Sequence, residues 1–316
     1  MNPATLETIN YFFKVHGKST DQCHEPTATC SQRAIQAHSI PSGTVLNRLA
    51  RDGHVVMPLV KLKMPWPAEF EFKRIGKNKA TTFTGMCAQH DSGIFRPIDE
   101  GLPVLGDPSH LFLLAYRAVL REYHVVLQNA IRFQSVYQKR VAVGLSPGDE
   151  PCDYGMFATG HLVNAYDTYQ YKRQFDTAYL TNDWSHLKHY ILVLKDQAPS
   201  IAVSSMFSLD DVAASETPRV TLSIYPAAPD VVVVFSALPR DAPHVDNYLH
   251  RILSSESYFQ KYLLSKIILQ CCDNFVIDPQ YFDAMPQDKV AALRNFFVDT
   301  ISKNAPAHED GRLYLF

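Results

Sequence analysis

The chain has 316 residues, of which 46% are hydrophobic and 20% are charged, and its formal net charge is −2. This composition excludes a disordered chain, and it excludes a polycation that would coat nucleic acid or membrane over its whole surface. The length allows about two domains, and no apolar stretch reaches the roughly 18–20 residues that a membrane-spanning helix needs.

The N-terminal residues 1–17 include Glu7 and lack the basic start and apolar core of a secretory signal. We therefore expect a cytoplasmic protein that has no membrane partner. In the cytoplasm, the six cysteines are more typical of reduced thiols or metal ligands than of disulfides.

The first third of the chain predicts one helix, a polar loop and two strands. Apolar positions at helical spacing predict a short helix over residues 4–16. Residues 18–45 are rich in Ser, Thr, Pro and Cys, so something other than an apolar core must order them. Strands are predicted over residues 54–60 and 81–85, and the second leads directly into Cys87.

The rest of the chain predicts helices on either side of a β-rich segment. Asp107-Pro108, an N-cap carboxylate followed by proline, begins a helix predicted to reach about Arg140. A loop over 144–152 separates it from helical residues 154–190, which have a break near Thr181 to Asp183. The predicted later strands cover 201–206, 220–225 and 231–235, with a hairpin across 226–230, and helices follow over 245–302 with an interruption at Asp278-Pro279.

These elements predict an α+β fold with a small antiparallel sheet and two domains. The first domain is a zinc-binding module over residues 1–105. The second is an α+β domain over residues 106–316, helical over 106–195, β-rich over 196–240 and helical over 241–316.

Two pairs of metal-ligand residues carry the chemistry. The first pair is Cys23 and Cys30, which are separated by six residues, and the second is Cys87 and His90, which have the tighter spacing of a metal knuckle. Zinc prefers thiolate and imidazole ligands, four of them in a tetrahedron at about 2.0–2.3 Å. We predict that these four residues bind a structural zinc ion, which would order the polar region around it. The alternative is a set of scattered buried thiols and a surface histidine.

This arrangement resembles the treble-clef HNH (ββα-metal) nucleases. Members of that family show a cysteine pair, then a motif like Asp/Glu-His-Ile-x-Pro, then Cys-x-x-Cys or Cys-x-x-His followed by Asn, His or Asp on a short helix. The matching segments here are Cys23 with Cys30, Ala37-His38-Ser39-Ile40-Pro41, and Cys87-x-x-His90-Asp91. The resemblance covers about residues 20–100.

The resemblance implies a metal-dependent endonuclease that acts on DNA or RNA, with a toxin or anti-phage defence role. In such enzymes the structural zinc is separate from a catalytic Mg²⁺ or Mn²⁺ ion. The family's general base would fall on His38, and Asp91 would help to hold the catalytic cation. The acidic residue before the histidine is Ala37 here, so His54 is the substitute ligand, or a polar residue at a turn. His38 could instead be a zinc ligand in place of Cys23, or cap the site.

A basic segment follows the histidine motif. Its basic residues are Arg48, Arg51, Lys61, Lys63, Lys73, Arg74, Lys77 and Lys79. Eight basic residues minus three acidic ones leave a local charge of about +5, which is typical of a phosphate-facing patch, and Trp66, Phe70 and Phe72 could stack on bases. The alternative is a solvated β-hairpin.

A rival to the nuclease is a non-catalytic zinc module. It would bind nucleic acid, or a protein partner through the C-terminal domain.

Overall fold

The computed structural model describes residues 2–16, 20–61, 69–210, 216–303 and 310–316. Helices and antiparallel strands are mixed along these residues, so the chain is an α+β protein, as its sequence predicts. Within these ranges, no helix has the length and apolar character that would let it cross a bilayer.

The chain divides into two compact units, and each is built from three separate segments. The helical unit comprises Met1–Ala37, Phe83–Gly93 and Val119–Asp183, and the sheet unit comprises His38–Thr82, Ile94–Ala118 and Trp184–Phe316. The division expected from the sequence falls once, after residue 105. Each unit combines segments that are distant in sequence because those segments contact one another. In the helical unit, for example, the backbone N–H of His24 donates to the Gly85 carbonyl at 2.8 Å.

The long helices of the described residues begin near their predicted starts, but the helix predicted over residues 154–190 ends at Leu180, beside the break expected near Thr181. In chain order the helices are α1 Pro3–His16, α2 Asn47–Leu49, α3 Ala88–Asp99, α4 Pro108–Ala142, α5 Asp153–Leu180, α6 Ala242–Leu253, α7 Ser257–Cys271, α8 Pro279–Asp283 and α9 Gln287–Lys303. The helix expected from Asp107 is confirmed, since the Asp107 carboxylate accepts the Ser109 backbone N–H at 2.9 Å as an N-cap does. In the helical unit, α4 and α5 share a small apolar cluster of Val126, Ala130 and Ala165.

The strands form two sheets among the described residues. Their bounds are β1 Gln36–His38, β2 His54–Lys61, β3 Glu69–Gly76, β4 Thr82–Thr84, β5 Lys188–Leu194, β6 Ile201–Ser208, β7 Arg219–Ala227, β8 Asp230–Ala237 and β9 Phe275–Ile277. β1 and β4 pair as a two-stranded sheet, and the other seven form one antiparallel sheet in the order β3-β2-β9-β6-β7-β8-β5.

The seven-stranded sheet is larger than the small sheet expected, and it differs from the predicted elements at three places. β3, foreseen only in the alternative of a β-hairpin, pairs with β2. Lys188–Leu194 was expected to be helical but is strand β5, because its whole length pairs with the valine-rich strand β8. β9 lies in residues expected to be helical, directly before the interruption at Asp278-Pro279, and it joins β2 to β6. The hairpin of β7 and β8 is confirmed, with Ala227 opposite Asp230 at its turn.

The core of the sheet unit lies between one face of this sheet and the C-terminal helices. Alternate residues of β6, β7 and β8, such as Val203, Leu222 and Val233, point into a buried cluster with Leu249 of α6 and Ile268 of α7. A period of two residues on each strand is what a packed sheet face requires. This cluster holds the sheet against α6 and α7. It includes no residue before Val56, so other interactions must order the polar region around Cys23 and Cys30.

Candidate metal centre

The predicted zinc ligands converge in the helical unit. The ligand atoms of Cys23, Cys30, Cys87 and His90 all lie within 4.8 Å of one another. Cys87 directly precedes α3 and His90 lies in its first turn, so a spacing of three residues places both side chains on one helix face. The alternative of scattered thiols is therefore excluded, and the cluster is a Cys₃His site that could hold a metal ion such as zinc.

The distances within the cluster fit a tetrahedral metal site. The Nδ1 atom of His90 lies 3.5 Å from Cys23 Sγ and 3.3 Å from Cys87 Sγ, and the Sγ atoms of Cys30 and Cys87 are 3.9 Å apart. A zinc tetrahedron with bonds of about 2.3 Å to sulfur and about 2.0 Å to nitrogen has edges of roughly 3.8 Å between sulfurs and roughly 3.5 Å between sulfur and nitrogen. All six cysteines of the chain are free thiols, so no disulfide competes for these sulfurs.

The pKa values of the Cys23 and Cys87 thiols are set by burial and by hydrogen bonds. Burial raises the pKa of the Cys23 thiol to about 11, although the backbone N–H of Cys87 donates to its sulfur at 3.2 Å. Burial also acts to raise the pKa of Cys87, but the backbone N–H of His90 and the Cys23 and Cys30 side chains outweigh it and lower that pKa. A bound cation would stabilise all three thiolates, because its charge reverses the penalty for burying an anion.

Glu25 organises the loop between the first two ligands. This buried carboxylate accepts the backbone N–H groups of Thr27 at 2.6 Å, Thr29 at 2.6 Å and Cys30 at 3.1 Å, and it also accepts the Thr27 hydroxyl. Burial acts to raise its pKa, but these hydrogen bonds prevail and lower it to about 2. Glu25 thereby satisfies three donors of a tight loop and positions Cys30 for the metal. Ligand type and spacing do not reveal this role, although the sequence shows an acidic residue inside the Cys23–Cys30 loop.

Helix α5 supports the same loop from its other side. Arg173 donates to the Pro26 carbonyl at 3.0 Å, and the neighbouring Lys172 donates to Asp176 at 2.7 Å in a pair that is nearly completely buried. Burial lowers the pKa of Lys172, whereas the adjacent Asp176 acts to raise it. The first ligand pair is therefore held from within by Glu25 and from outside by α5.

The predicted catalytic residues do not belong to this cluster. His38, at the end of β1, lies in the sheet unit, where its Nε2 atom is 2.9 Å from the Lys77 carbonyl oxygen. Asp91 follows His90 in the first turn of α3. His54 is exposed at the start of β2, and its Nδ1 atom lies 2.8 Å from the Asp52 carbonyl oxygen. Cys23, and not His38, is the fourth donor of the metal cluster.

Some side chains of the predicted basic patch are exposed, and others are engaged in ion pairs or hydrogen bonds. Arg48, Lys73 and Lys79 are exposed, whereas Arg51 pairs with Asp278 and Arg74 with Asp283. The Lys77 ammonium donates to the Asn47 side chain. Lys63 and the side chain of Lys61 lie outside the described residues.

The expectation that aromatic side chains of this segment stack on bases is wrong for Phe70. Phe70 is buried, and its ring stacks on Phe297 of α9 at a centroid distance of 4.4 Å. Phe72 is half-buried and its ring contacts Phe282 and Phe297. Trp66 lies outside the described residues. β3 therefore uses its aromatic face for the core of the sheet unit.

Across the described residues, the cluster of Cys23, Cys30, Cys87 and His90 is the one group of three or more Cys, His, Asp or Glu side chains placed to share a metal ion. Its donor atoms and distances are compatible with a metal ion such as zinc. Comparison of the chain with protein-family models, with curated proteins and with solved structures returned no match.

Proposed function

We propose that the chain is a zinc-stabilised endonuclease of the HNH-like type that hydrolyses phosphodiester bonds in DNA or RNA. The proposal begins from the Cys₃His cluster and from the order of β1, β4 and α3, which is strand, strand, helix with the second ligand pair at the helix start. The resemblance of the histidine motif supplies the reaction class. A role against foreign nucleic acid, as a toxin or defence effector, belongs to the same proposal.

The observation that carries the catalytic part is the hydrogen bond of His38. A carbonyl oxygen can only accept, so the Nε2 atom of His38 must donate its proton to the Lys77 carbonyl at 2.9 Å. A neutral imidazole then keeps its lone pair on Nδ1, where it can accept a proton. His38 is thus held in the tautomer that a general base needs.

In the proposed reaction, His38 Nδ1 removes a proton from a water molecule, and the water oxygen attacks the phosphorus atom. The bond from phosphorus to the leaving ribose or deoxyribose oxygen breaks, and that oxygen takes up a proton. A Mg²⁺ or Mn²⁺ ion would neutralise the charge that develops on the phosphate, and Asp91 is the proposed ligand for it. The zinc cluster keeps a structural role.

The direct test compares the wild-type chain with H38A on plasmid DNA and on RNA, with Mg²⁺ or Mn²⁺ present. Loss of a general base should reduce the cleavage rate by about 10²–10⁴-fold. The matched control is H250A, because His250 is exposed on α6 and has no part in the proposal. Equal rates for the wild-type chain and H38A would remove His38 from catalysis.

A second candidate, a non-catalytic zinc module, is favoured by Ala37, which stands where the HNH motif has its acidic metal ligand, and by the single metal cluster of the described residues. Nucleic-acid binding measured without cleavage, together with one bound metal ion that Mg²⁺ and Mn²⁺ do not supplement, would support it over the nuclease. The nuclease requires a second, exchangeable divalent ion in addition to the zinc.

A further inference from the structure

The outward side of α5 carries an uncharged, largely apolar stripe. Its members are Met156, Thr159, Val163, Tyr166 and Gln170, and all five side chains are exposed. Met156 is 67% exposed, Val163 53% and Tyr166 61%, which is unusual for apolar residues of this size. We call these five residues the α5 stripe.

The opposite side of the helix already packs within its own unit. Ala158, Ala165 and Thr168 are buried, and Ala165 contacts Val126 and Ala130 of α4. The α5 stripe is therefore not needed to attach the helix. No Asp, Glu, Lys or Arg occurs over residues 154–166, and within the length of the stripe only the exposed Asp167 adds a charge beside it, whereas an outward helix face usually carries several.

The spacing of the α5 stripe identifies the kind of partner. Its positions follow one another by three, four, three and four residues, which is the spacing of a coiled-coil seam. The absence of positive charge excludes a nucleic-acid phosphate backbone as the natural occupant. A second uncharged helix with the same spacing fits, and another copy of this chain supplies one.

We propose that two copies of the chain associate through the α5 stripe, with the two α5 helices antiparallel about a two-fold axis. With Val163 at the axis, each Met156 lies opposite the partner's Gln170, and each Thr159 lies opposite the partner's Asp167, whose side chain is exposed. Apolar side chains then contact the apolar parts of polar ones, and the Asp167 carboxylates lie at the exposed edge of the stripe. Such an interface is isologous and closes at two subunits.

The size of the surface agrees with a reversible dimer. Large side chains offer about 150–250 Å² each, so the half-exposed stripe and the adjacent exposed Leu162 amount to roughly 500 Å² in each chain. Two copies would bury on the order of 1,000 Å², which is at the low end for specific association. The dimer should therefore dissociate on dilution.

The test is the mass of the full chain in solution over a range of concentrations, measured for the wild type, V163E and V104E. V163E places two carboxylates against each other at the axis, while V104E makes the same change at a loop valine of matching exposure, 55% against 53%. We expect the wild type and V104E to approach twice the 35.7 kDa chain mass as concentration rises, and V163E to stay at the single-chain mass.

Hydrogen exchange provides a second readout that does not depend on the fold of a variant. In the wild type, amides of residues 154–166 should exchange more slowly at high than at low protein concentration. A wild-type chain that stays monomeric, or a dimer that V163E leaves unchanged, would overturn the proposal. So would a monomer that binds neutral phosphatidylcholine vesicles through residues 154–166, which would assign the stripe to lipid.

Discussion

Glu25 binds no metal in the proposed site, yet its carboxylate determines the shape of the loop that carries Cys23 and Cys30. Three backbone N–H groups and the hydroxyls of Thr27 and Thr29 converge on it. A hydrogen bond to a charged group contributes about 1.5–3 kcal/mol, so these contacts hold the backbone of a loop whose residues 27–29 are exposed. The carboxylate thus links the local backbone to the position of a metal ligand.

Replacement of this carboxylate should weaken metal binding without removing a ligand. We expect E25Q to reduce zinc affinity by about 10–100-fold, as changes in groups that orient metal ligands do. Competition against a chromophoric chelator measures this affinity. E100Q is the matched control, because Glu100 is exposed and lies outside the cluster. An affinity for E25Q equal to that of the wild type would show that the loop holds its shape unaided.

A buried histidine of the sheet unit should make stability depend on pH. Burial lowers the pKa of His189 from 6.5 to about 4, and its Nδ1 atom is 2.8 Å from the Ser236 hydroxyl. Between these two pH values the unfolded chain binds the proton and the folded chain does not, so stability falls as the pH is lowered from 6.5 towards 4. The contribution is at most about 3 kcal/mol.

Urea unfolding of the wild type and H189N at both ends of this pH window measures the effect. H189N should lose less stability on acidification than the wild type, while H250N, which changes an exposed histidine, should lose as much. If H189N followed the wild-type pH dependence throughout, the acid sensitivity would belong to other groups.

At the scale of elements, two sides of α5 have different roles. One side holds the first ligand loop through Arg173, with the Lys172–Asp176 pair buried beneath it, and another carries the α5 stripe. Helix α5 thus carries both a contact that holds the metal loop and the surface of the proposed dimer.

Breaking the buried pair of α5 should be costly. K172M removes the ammonium partner of the buried Asp176 carboxylate but keeps its longer contact with Arg173 at 3.7 Å, so it should lower the free energy of unfolding by at most about 3–5 kcal/mol. The double variant K172M/D176L should recover much of the loss, because both charges are then absent. Denaturant unfolding followed by circular dichroism measures these values. K195M, which removes the lysine of the exposed pair with Asp230, should change stability little, and an equally stable K172M would contradict the account.

The sequence predicts those elements and ligands that depend on local pattern. Helix α4 and the hairpin of β7 and β8 follow from capping and turn residues, and the metal ligands follow from donor type and spacing. Burial of Phe70 could not be predicted, because it depends on α9, more than two hundred residues later in the chain. The role of Glu25 was equally hidden, since it depends on the backbone path of the loop and not on spacing.

At the scale of the whole molecule, the two units are stabilised by different interactions. The sheet unit buries one extended apolar cluster between its strands and helices. The ligand loop of the helical unit instead relies on the buried groups Glu25, Lys172 and Asp176 and on the Cys₃His cluster. A structural metal can supply on the order of 10 kcal/mol of folding free energy, which is as much as a small domain's net stability.

Elemental analysis of the purified chain tests the metal centre most directly, with C87S and C152S measured beside the wild type. Cys87 is a ligand of the cluster, whereas Cys152 precedes α5 and lies outside it. We predict one zinc ion for each chain of the wild type and of C152S, and a marked loss of zinc from C87S. A wild-type chain without zinc, or C87S with its zinc undiminished, would contradict the account.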